Sequence, residues 1–166
     1  MGMKYSLDTS AFLDGWSRWY PIQSFPDIWV NIGQMIDNRE IVTVQNVIDE
    51  LKRGSSGPIK WLGARVKTMV MPLDAAIQTE ARAIVNQHNT LVNNSSQADP
   101  FVIALAKVHG LTVLTGEKRS RIPGIVKIPD VCGQLRVPCI NLMELIKKQG
   151  WKFVNAPQSS SGKSFG

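Results

Sequence analysis

Short apolar segments alternate with segments of helical periodicity along the chain, and this alternation limits the possible folds more than any other feature. The apolar segments predict strands at 3–7, 40–44, 69–71, 111–114 and 125–128, with a brief one at 139–140. Helical patterns lie between them. Strands joined by helices favour a mostly parallel sheet covered by helices on both faces. The sequence therefore predicts an α/β protein.

Capping and breaking residues mark where the helices begin and end. A first helix is expected over 11–20 because Pro21 would end it, and Ser24 is expected to cap a second one. Asp74 is the expected N-cap of a long helix with one apolar face. Further helices are expected through 47–51, around 61, at 98–109, after 129–130 and at 141–148. Residues 90–97 are polar and predict a loop.

The composition supports a single folded domain. Of the 166 residues, 43% are hydrophobic and 19% are charged, which excludes a largely disordered chain. We expect one domain over residues 1–155 and a mobile Ser- and Gly-rich tail over 156–166. The 19 Lys and Arg residues outnumber the 13 Asp and Glu residues, and the formal net charge of +6 favours a polyanionic partner.

The cysteine and hydropathy patterns favour a reducing, aqueous environment. Cys132 and Cys139 are seven positions apart, which matches neither a redox CxxC pair nor a zinc-ligand spacing. Asp8 and Asp14 interrupt the apolar residues near the start, unlike the core of a signal peptide. No apolar run approaches the roughly 20 residues that cross a bilayer. We therefore expect a cytoplasmic protein with no membrane association.

Four acidic residues fall close to the ends of the predicted strands. Asp8 ends the first strand, and Glu50 lies on the helix after the second. Asp99 opens the helix before the fourth strand, and Glu117 follows that strand. Ligands of open parallel sheets bind at the carboxyl ends of the strands, so the four side chains are predicted to meet in one crevice. Because carboxylates that lie so close repel one another, a hard cation such as Mg²⁺ or Mn²⁺ is the expected ligand.

Each of these acidic residues also has a purely structural interpretation. Asp8 and Asp99 precede or open helices, where an Asp is a common cap. Glu50 precedes two basic residues on its helix and is compatible with a solvated surface position. Glu117 is compatible with an ordinary loop charge. Their joint placement at strand ends is what favours a functional site.

Four sequence segments resemble those of PIN-domain nucleases. They are Tyr5-Ser-Leu-Asp-Thr-Ser-Ala-Phe-Leu13, Val47-Ile-Asp-Glu-Leu-Lys-Arg53, Ala98-Asp-Pro-Phe-Val-Ile-Ala-Leu-Ala106 and Leu111-Thr-Val-Leu-Thr-Gly-Glu117. The later segments 127–132, 139–142 and 150–151 are similar to an uncharacterised PIN-like subfamily. The resemblance extends over about residues 3–153 and implies a three-layer α/β/α sandwich.

The resemblance also implies roles for individual residues. Asp8, Glu50 and Asp99 would be catalytic metal ligands, and Ser10 would orient Asp8 or a metal-bound water. Glu117 would be the fourth acid, at a position where the family commonly has Asp. Asp130 could serve in place of Glu117, and the choice between one metal ion and two stays open.

Basic residues near these motifs are expected to guide an RNA backbone, although a solvated basic face explains any one of them equally well. They are Lys52, Arg53, Lys118, Arg119 and Arg121. Aromatic residues concentrate in the first two helices, where we expect core or interface positions rather than base-stacking ones. This aromatic group comprises Trp16, Trp19, Tyr20 and Trp29.

The predicted function is a Mg²⁺- or Mn²⁺-dependent endoribonuclease that hydrolyses RNA phosphodiester bonds. By resemblance to VapC-type proteins, it would be the toxin of a type II toxin–antitoxin pair, with RNA as substrate, a cognate antitoxin as partner and a homodimer as a further possibility. The alternative is a non-catalytic PIN-like domain that binds RNA or protein.

Overall fold

The computed structural model describes residues 2–89, 91 and 97–153. Within this part of the chain, five short strands form one sheet in which every neighbouring pair is parallel. The strands are β1 (Tyr5–Leu7), β2 (Ile41–Val44), β3 (Val70–Met71), β4 (Thr112–Leu114) and β5 (Cys139–Ile140). The predicted α/β class with a parallel sheet is therefore confirmed.

Helices connect the strands and flank the sheet, which gives the three-layer α/β/α arrangement. They are α1 (Thr9–Asp14) with a following π-helical turn (Gly15–Trp19), α2 (Pro26–Asp37), α3 (Gln45–Gly54), α4 (Ser56–Leu62), α5 (Arg65–Met69), α6 (Ala75–Gln87), α7 (Asp99–His109), α8 (Ile128–Leu135) and α9 (Leu142–Gln149). Every residue of β1 and β2 is buried, as expected for strands covered on both faces.

The strand order is β3-β2-β1-β4-β5, so β1 lies in the middle of the sheet. Tyr5 is opposite Ile41 on one side and Thr112 on the other. From β1 the chain runs outward through β2 to β3, and it then returns to the other side of β1 to form β4 and β5. The strand order thus switches direction between β1 and β4. In open α/β sheets, this is where a ligand crevice forms, at the carboxyl ends of the strands.

The apolar core extends over both sides of the sheet, and the polar residues inside it have partners. Trp29, Ile48 and Leu105 are at most 1% exposed. On the central strands, the Ser6 hydroxyl donates to the carbonyl of Val102 at 2.8 Å, and the Thr43 hydroxyl donates to a neighbouring strand. The Ser6 bond joins α7 to β1 and so holds the start of α7 near the crevice.

The strand predicted at 125–128 was wrong. Ile128 is instead the first residue of α8, and residues 125–127 belong to the loop before it. The free edge of β4 is already paired with β5, where Val113 is opposite Cys139. The apolar residues 125–128 therefore have no free edge of β4 to pair with, but their side chains can still pack against the core. Asp130 consequently lies in the first turn of a helix, not beyond a strand.

Helix boundaries differ from the predicted ones in the first 40 residues. The helix predicted over 11–20 begins at Thr9 and changes to a π-helical turn at Gly15. The second helix begins at Pro26, with Phe25 at the N-cap in place of Ser24. The N-cap predicted for α6 is confirmed, since Asp74 accepts a hydrogen bond from the Ile77 amide at 2.9 Å.

Two predicted segments fall largely or wholly outside the described residues. They are the loop at 90–97, of which only 91 and 97 are described, and the tail at 156–166. Among the residues that are described, no helix is both long enough and apolar enough to span a bilayer.

Candidate active site

Asp8 lies at the centre of the crevice between β1 and β4. It directly follows β1, forms the N-cap of α1 and is 2% exposed. Its Oδ2 accepts hydrogen bonds from the hydroxyls of Ser10 and Thr115, the latter at 2.8 Å. Ser10 lies in the first turn of α1, and Thr115 directly follows β4. The ends of the two neighbouring strands are therefore joined through this one carboxylate.

The environment of Asp8 makes its negative charge costly. Burial raises the pKa of Asp8 from its ordinary 3.8 to about 6, because the carboxylate loses hydration. Hydrogen bonds from Ser10 and Thr115 act against this rise, since they stabilise the charged form. The charge of Glu117 raises the pKa further by repulsion. At neutral pH the side chain is thus an ionised acid in a position that favours an added cation.

A close approach between α1 and the loop after β4 holds this arrangement together. The Gly116 amide donates to the Ser10 hydroxyl at 2.9 Å. A Cβ at Gly116 would lie 2.5 Å from Oδ2 of Asp14 and 3.0 Å from the Ser10 carbonyl oxygen. Glycine is therefore required at this position for the loop to reach α1.

Glu50 connects the segments that carry Asp8 and Asp99. It projects from α3, where its Oε2 accepts from the Thr9 hydroxyl at 2.6 Å. Its Oε1 accepts from the Ala98 amide at 3.4 Å. Glu50 is thus bonded to the residue after Asp8 and to the residue before Asp99. Asp99 itself is the first residue of α7 and is 2% exposed.

Glu117 lies on the other side of Asp8, in the loop after β4. Its Oε2 accepts from the Ile128 amide at the start of α8, at 3.0 Å. Its effect on the pKa of Asp8 shows that the two carboxylates are within electrostatic reach of each other. The segments of all four acids predicted at strand ends are therefore brought to the same edge of the sheet.

Asp130, the alternative fourth acid, has a different setting. Its Oδ2 accepts from the amides of Ser120 and Lys127, each at 2.9 Å. These bonds join the loop before α8 to the first turn of that helix. The described contacts of Asp130 stabilise this loop, and none of them joins it to Asp8 or Glu50.

The residues present suit a hard cation in their chemistry, although their side chains do not surround one. Within residues 2–89, 91 and 97–153, no three Asp, Glu, His or Cys side chains lie close enough together to hold a metal ion. The candidate donors are all carboxylate oxygens, which Mg²⁺ and Mn²⁺ prefer. The buried charge of Asp8 and the repulsion from Glu117 also favour neutralisation by a cation.

The predicted RNA-binding residues are exposed but do not all lie at the crevice. Lys118 and Arg119 line a cavity of about 370 Å³ beyond the ends of β4 and β5. Lys52 and Arg53 are exposed in the last turn of α3. Arg121 is exposed in the loop before α8. Lys118 and Arg119 thus line the same cavity as Glu117, whereas the other three basic residues do not line it.

The aromatic residues of the first two helices divide into a packed group and the exposed Trp19, whose predicted interface role stays a prediction. Phe12, Trp29 and Trp61 pack with ring centroids 5.2 to 5.9 Å apart, and Trp16 joins them. Trp19, in contrast, is 66% exposed. It lies in a second cavity, of about 550 Å³, between the π-helical turn and the loop after β4.

Sequence reasoning missed the hydroxyls that support the acids and the residues of this second cavity. Thr115 directly follows β4 and Thr9 begins α1 just after β1, and these positions near strand ends were the available signal. Arg18 and Lys127 also line the second cavity. They lie far apart in sequence and carry no motif, so only the tertiary structure identifies them.

Comparisons with known proteins give a family and a fold. The model of a domain family of unknown function, DUF4411, matches residues 5–153. None of the curated protein sequences matches the chain. The crystal structure of FitAcB from Neisseria gonorrhoeae is similar, with a TM-score of 0.50 and 16% identity over 84% of this chain and 98% of that one.

Two further structures are similar at lower scores. PAE2754 from Pyrobaculum aerophilum has a TM-score of 0.41 and 15% identity, over 82% of this chain and 98% of that one. VapBC2 from Rickettsia felis, in a structure bound to a DNA fragment from its promoter, has a TM-score of 0.45. Its identity is 17%, over 75% of this chain and 97% of that one. The PIN-like fold predicted from the sequence is confirmed.

Proposed function

The match over residues 5–153 makes the chain a member of the DUF4411 family, and we propose that it is an endoribonuclease that depends on Mg²⁺ or Mn²⁺. One observation carries the proposal: Glu50 is hydrogen-bonded to the neighbours of both Asp8 and Asp99. These bonds link the three segments that carry Asp8, Glu50 and Asp99, which supports a shared role for the three acids at the edge where ligands of this architecture bind.

The chain's own residues would prepare the site for a cation and a phosphate. Asp8, Glu50 and Asp99 would hold the ion, with Glu117 as the fourth acid. Ser10 and Thr115 would keep the Asp8 carboxylate ionised and oriented, since their hydroxyls donate to it. The chemistry that such an ion supplies is activation of water and neutralisation of the phosphate under attack.

Basic residues beside the acids support RNA as the substrate. Lys118 and Arg119 follow Glu117 directly and are exposed. Two cations next to an acidic centre would hold the backbone on both sides of a phosphodiester while the acids bind the ion. Lys52, Arg53 and Arg121 would extend the same attraction over the surface.

A role as the toxin of a type II toxin–antitoxin pair extends this proposal. It rests on the VapC-type sequence resemblance and predicts that a cognate antitoxin suppresses the nuclease. A homodimer and a cytoplasmic location belong to the same hypothesis. Expression of the wild-type chain should arrest growth, and expression of Asp99→Asn should not.

Cleavage assays test the nuclease proposal directly. Wild type should cut single-stranded RNA in Mg²⁺ or Mn²⁺, and Asp8→Asn or Glu50→Gln should lower the rate more than about 100-fold, because second-shell changes alone cost up to that much at metal sites. Asp49→Asn is the matched control, since Asp49 is exposed on α3 and accepts a hydrogen bond from Gln45 of the same helix. Equal rates for wild type, Asp8→Asn and Glu50→Gln would contradict the proposal.

A non-catalytic PIN-like binding domain is the second candidate. The observation that favours it is that, in the part of the chain the structure describes, no three acidic, His or Cys side chains form a ready metal cluster. Calorimetric titration with Mn²⁺ separates the two. Binding that disappears in Asp8→Asn supports the nuclease, while RNA binding without any ion binding supports the non-catalytic domain.

A further inference from the structure

The larger of the two cavities beside the acidic crevice combines exposed aromatic and basic side chains. It measures about 550 Å³, within the usual range for ligand sites. The π-helical turn forms one side, and the loop after β4 with the start of α9 forms the other. We name it the Trp19 groove and define it by Arg18, Trp19, Tyr20, Glu117, Lys118 and Lys127.

Trp19 is an exposed aromatic side chain on a fixed backbone. The Tyr20 amide donates to the Gly15 carbonyl at 2.8 Å, which closes the π-helical turn. The indole N–H of buried Trp29 donates to the Tyr20 carbonyl at 2.6 Å. The turn is thus anchored to the core directly beside Trp19, while 66% of the Trp19 side chain stays exposed. Such a ring is a preformed surface for stacking.

Three basic side chains, Arg18, Lys118 and Lys127, line the groove together with two acidic ones, Asp14 and Glu117, which leaves a small positive excess. Lys118 and Lys127 are exposed, and neither forms a salt bridge with any other described residue. Arg18 is 74% exposed and lies 3.4 Å from Asp14, so its charge is partly compensated. Glu117 belongs to both the groove and the acidic site. A ligand that fills the groove would therefore contact Glu117, one of the four candidate acids.

We propose that the Trp19 groove binds one unpaired nucleotide of single-stranded RNA, next to the phosphodiester at the acids. Its base would stack on Trp19, and its phosphates would contact Lys118 and Lys127. Planar bases stack on aromatic rings whatever their sequence, and phosphates pair with exposed Lys side chains. Inside a duplex, both faces of each base are stacked on the neighbouring base pairs, so the groove would select single strands. This inference rests on the proposed function and names its substrate conformation.

Fluorescence anisotropy with a labelled short single-stranded RNA tests the groove apart from catalysis. The measurement uses the full chain carrying Asp8→Asn in EDTA, so that the RNA is not cleaved, and the salt concentration is kept fixed. Adding Trp19→Ala should weaken binding about 10- to 100-fold, the usual loss of one stacked base. Trp19→Phe should recover part of the affinity. Phe153→Ala is the matched control, since Phe153 is 42% exposed and lies outside the groove.

The outcomes separate the groove from the nuclease. If the Asp8→Asn protein binds RNA equally well with and without Trp19→Ala, the proposal that the groove binds a nucleotide is overturned, even if wild type cleaves RNA. A loss of binding on Trp19→Ala supports it even if no cleavage is found. An equal loss for double-stranded RNA also overturns it, because stacking needs an unpaired base. Circular dichroism of each variant verifies that it is folded.

Discussion

The two sides of the crevice are built differently. On the acidic side, Asp8 is 2% exposed and accepts two hydroxyl hydrogen bonds, and Glu50 is bonded to two other segments. On the groove side, Trp19 and Lys127 project from a fixed backbone into solvent. Both sides include the loop after β4, so they lie next to each other. The acidic side is buried, whereas the groove side is exposed.

Under the proposed function, this difference would give the two sides separate tasks. A buried, bonded carboxylate keeps one geometry, which chemistry on a phosphate requires. Burial of the Asp8 carboxylate is unfavourable for its charged form, and this raises the pKa of Asp8. Exposed side chains contribute little to folding and can adapt to a ligand. Substitutions at the two sides should therefore change the free energy of unfolding by different amounts and in different directions.

The largest stability effect is expected from Asp8→Asn. The folded-state pKa of Asp8, about 6, exceeds its ordinary 3.8. Between these values only the folded chain holds the proton, so the stability that Asp8 contributes is full below about pH 4 and falls as the pH rises through about 6. Removing the charge should raise the free energy of unfolding at pH 8, without metal, by up to about 3 kcal/mol, and by little at pH 4.

Urea unfolding of both proteins in EDTA at the two pH values measures this effect. Asp49→Asn serves again as the control, because its side chain is exposed. A variant that is less stable than wild type at pH 8 would contradict the idea that the Asp8 charge is buried at a cost. That result would remove the contrast between the two sides.

A smaller effect is expected from Ser10→Ala. The Ser10 hydroxyl donates to the Asp8 carboxylate and accepts from the Gly116 amide. Its loss should lower the free energy of unfolding by about 2 kcal/mol at pH 8, as for hydrogen bonds to charged groups. At pH 4 the loss should be smaller, because Asp8 is then protonated. The pKa of Asp8 should rise, because the bond that stabilises its charged form is gone.

A double-mutant cycle with Asp8→Asn isolates this bond, and exposed Ser17→Ala is the control. Additive effects of Ser10→Ala and Asp8→Asn would show that the hydroxyl does not support the carboxylate. Ser10 and Asp8 would then contribute independently to the stability of the acidic side.

The smallest effect is expected from Trp19→Ala. With 66% of the side chain exposed, truncation should change the free energy of unfolding by no more than about 0.5 kcal/mol. Trp29→Ala provides the contrast, since Trp29 is 1% exposed and lies in the core. Thermal unfolding compares the two. A large destabilisation by Trp19→Ala would mean that this side chain supports the fold rather than a ligand.

The sequence was sufficient for the parallel sheet and for the positions of the four acids along it. Hydrophobic periodicity is local, so the alternation of strands and helices is readable from neighbouring residues. Asp8, Asp99 and Glu117 stand close to strand ends or helix starts, and Glu50 lies on the helix after β2. The topology of a parallel sheet brings such segments to one edge. The strand predicted at 125–128 failed because local apolar character does not reveal which sheet edge is free.

Contacts between distant residues were decided only by the tertiary structure. The bond from Thr115 to Asp8 and the bond from Thr9 to Glu50 join segments that no local pattern connects. The Trp19 groove forms because the π-helical turn packs beside the loop after β4, with glycine at 116 allowing the approach. The sequence by itself therefore indicated which segments carry the candidate acids to this edge of the sheet, while their role in a site stays a prediction. Long-range packing decided how each is held and what surface lies next to them.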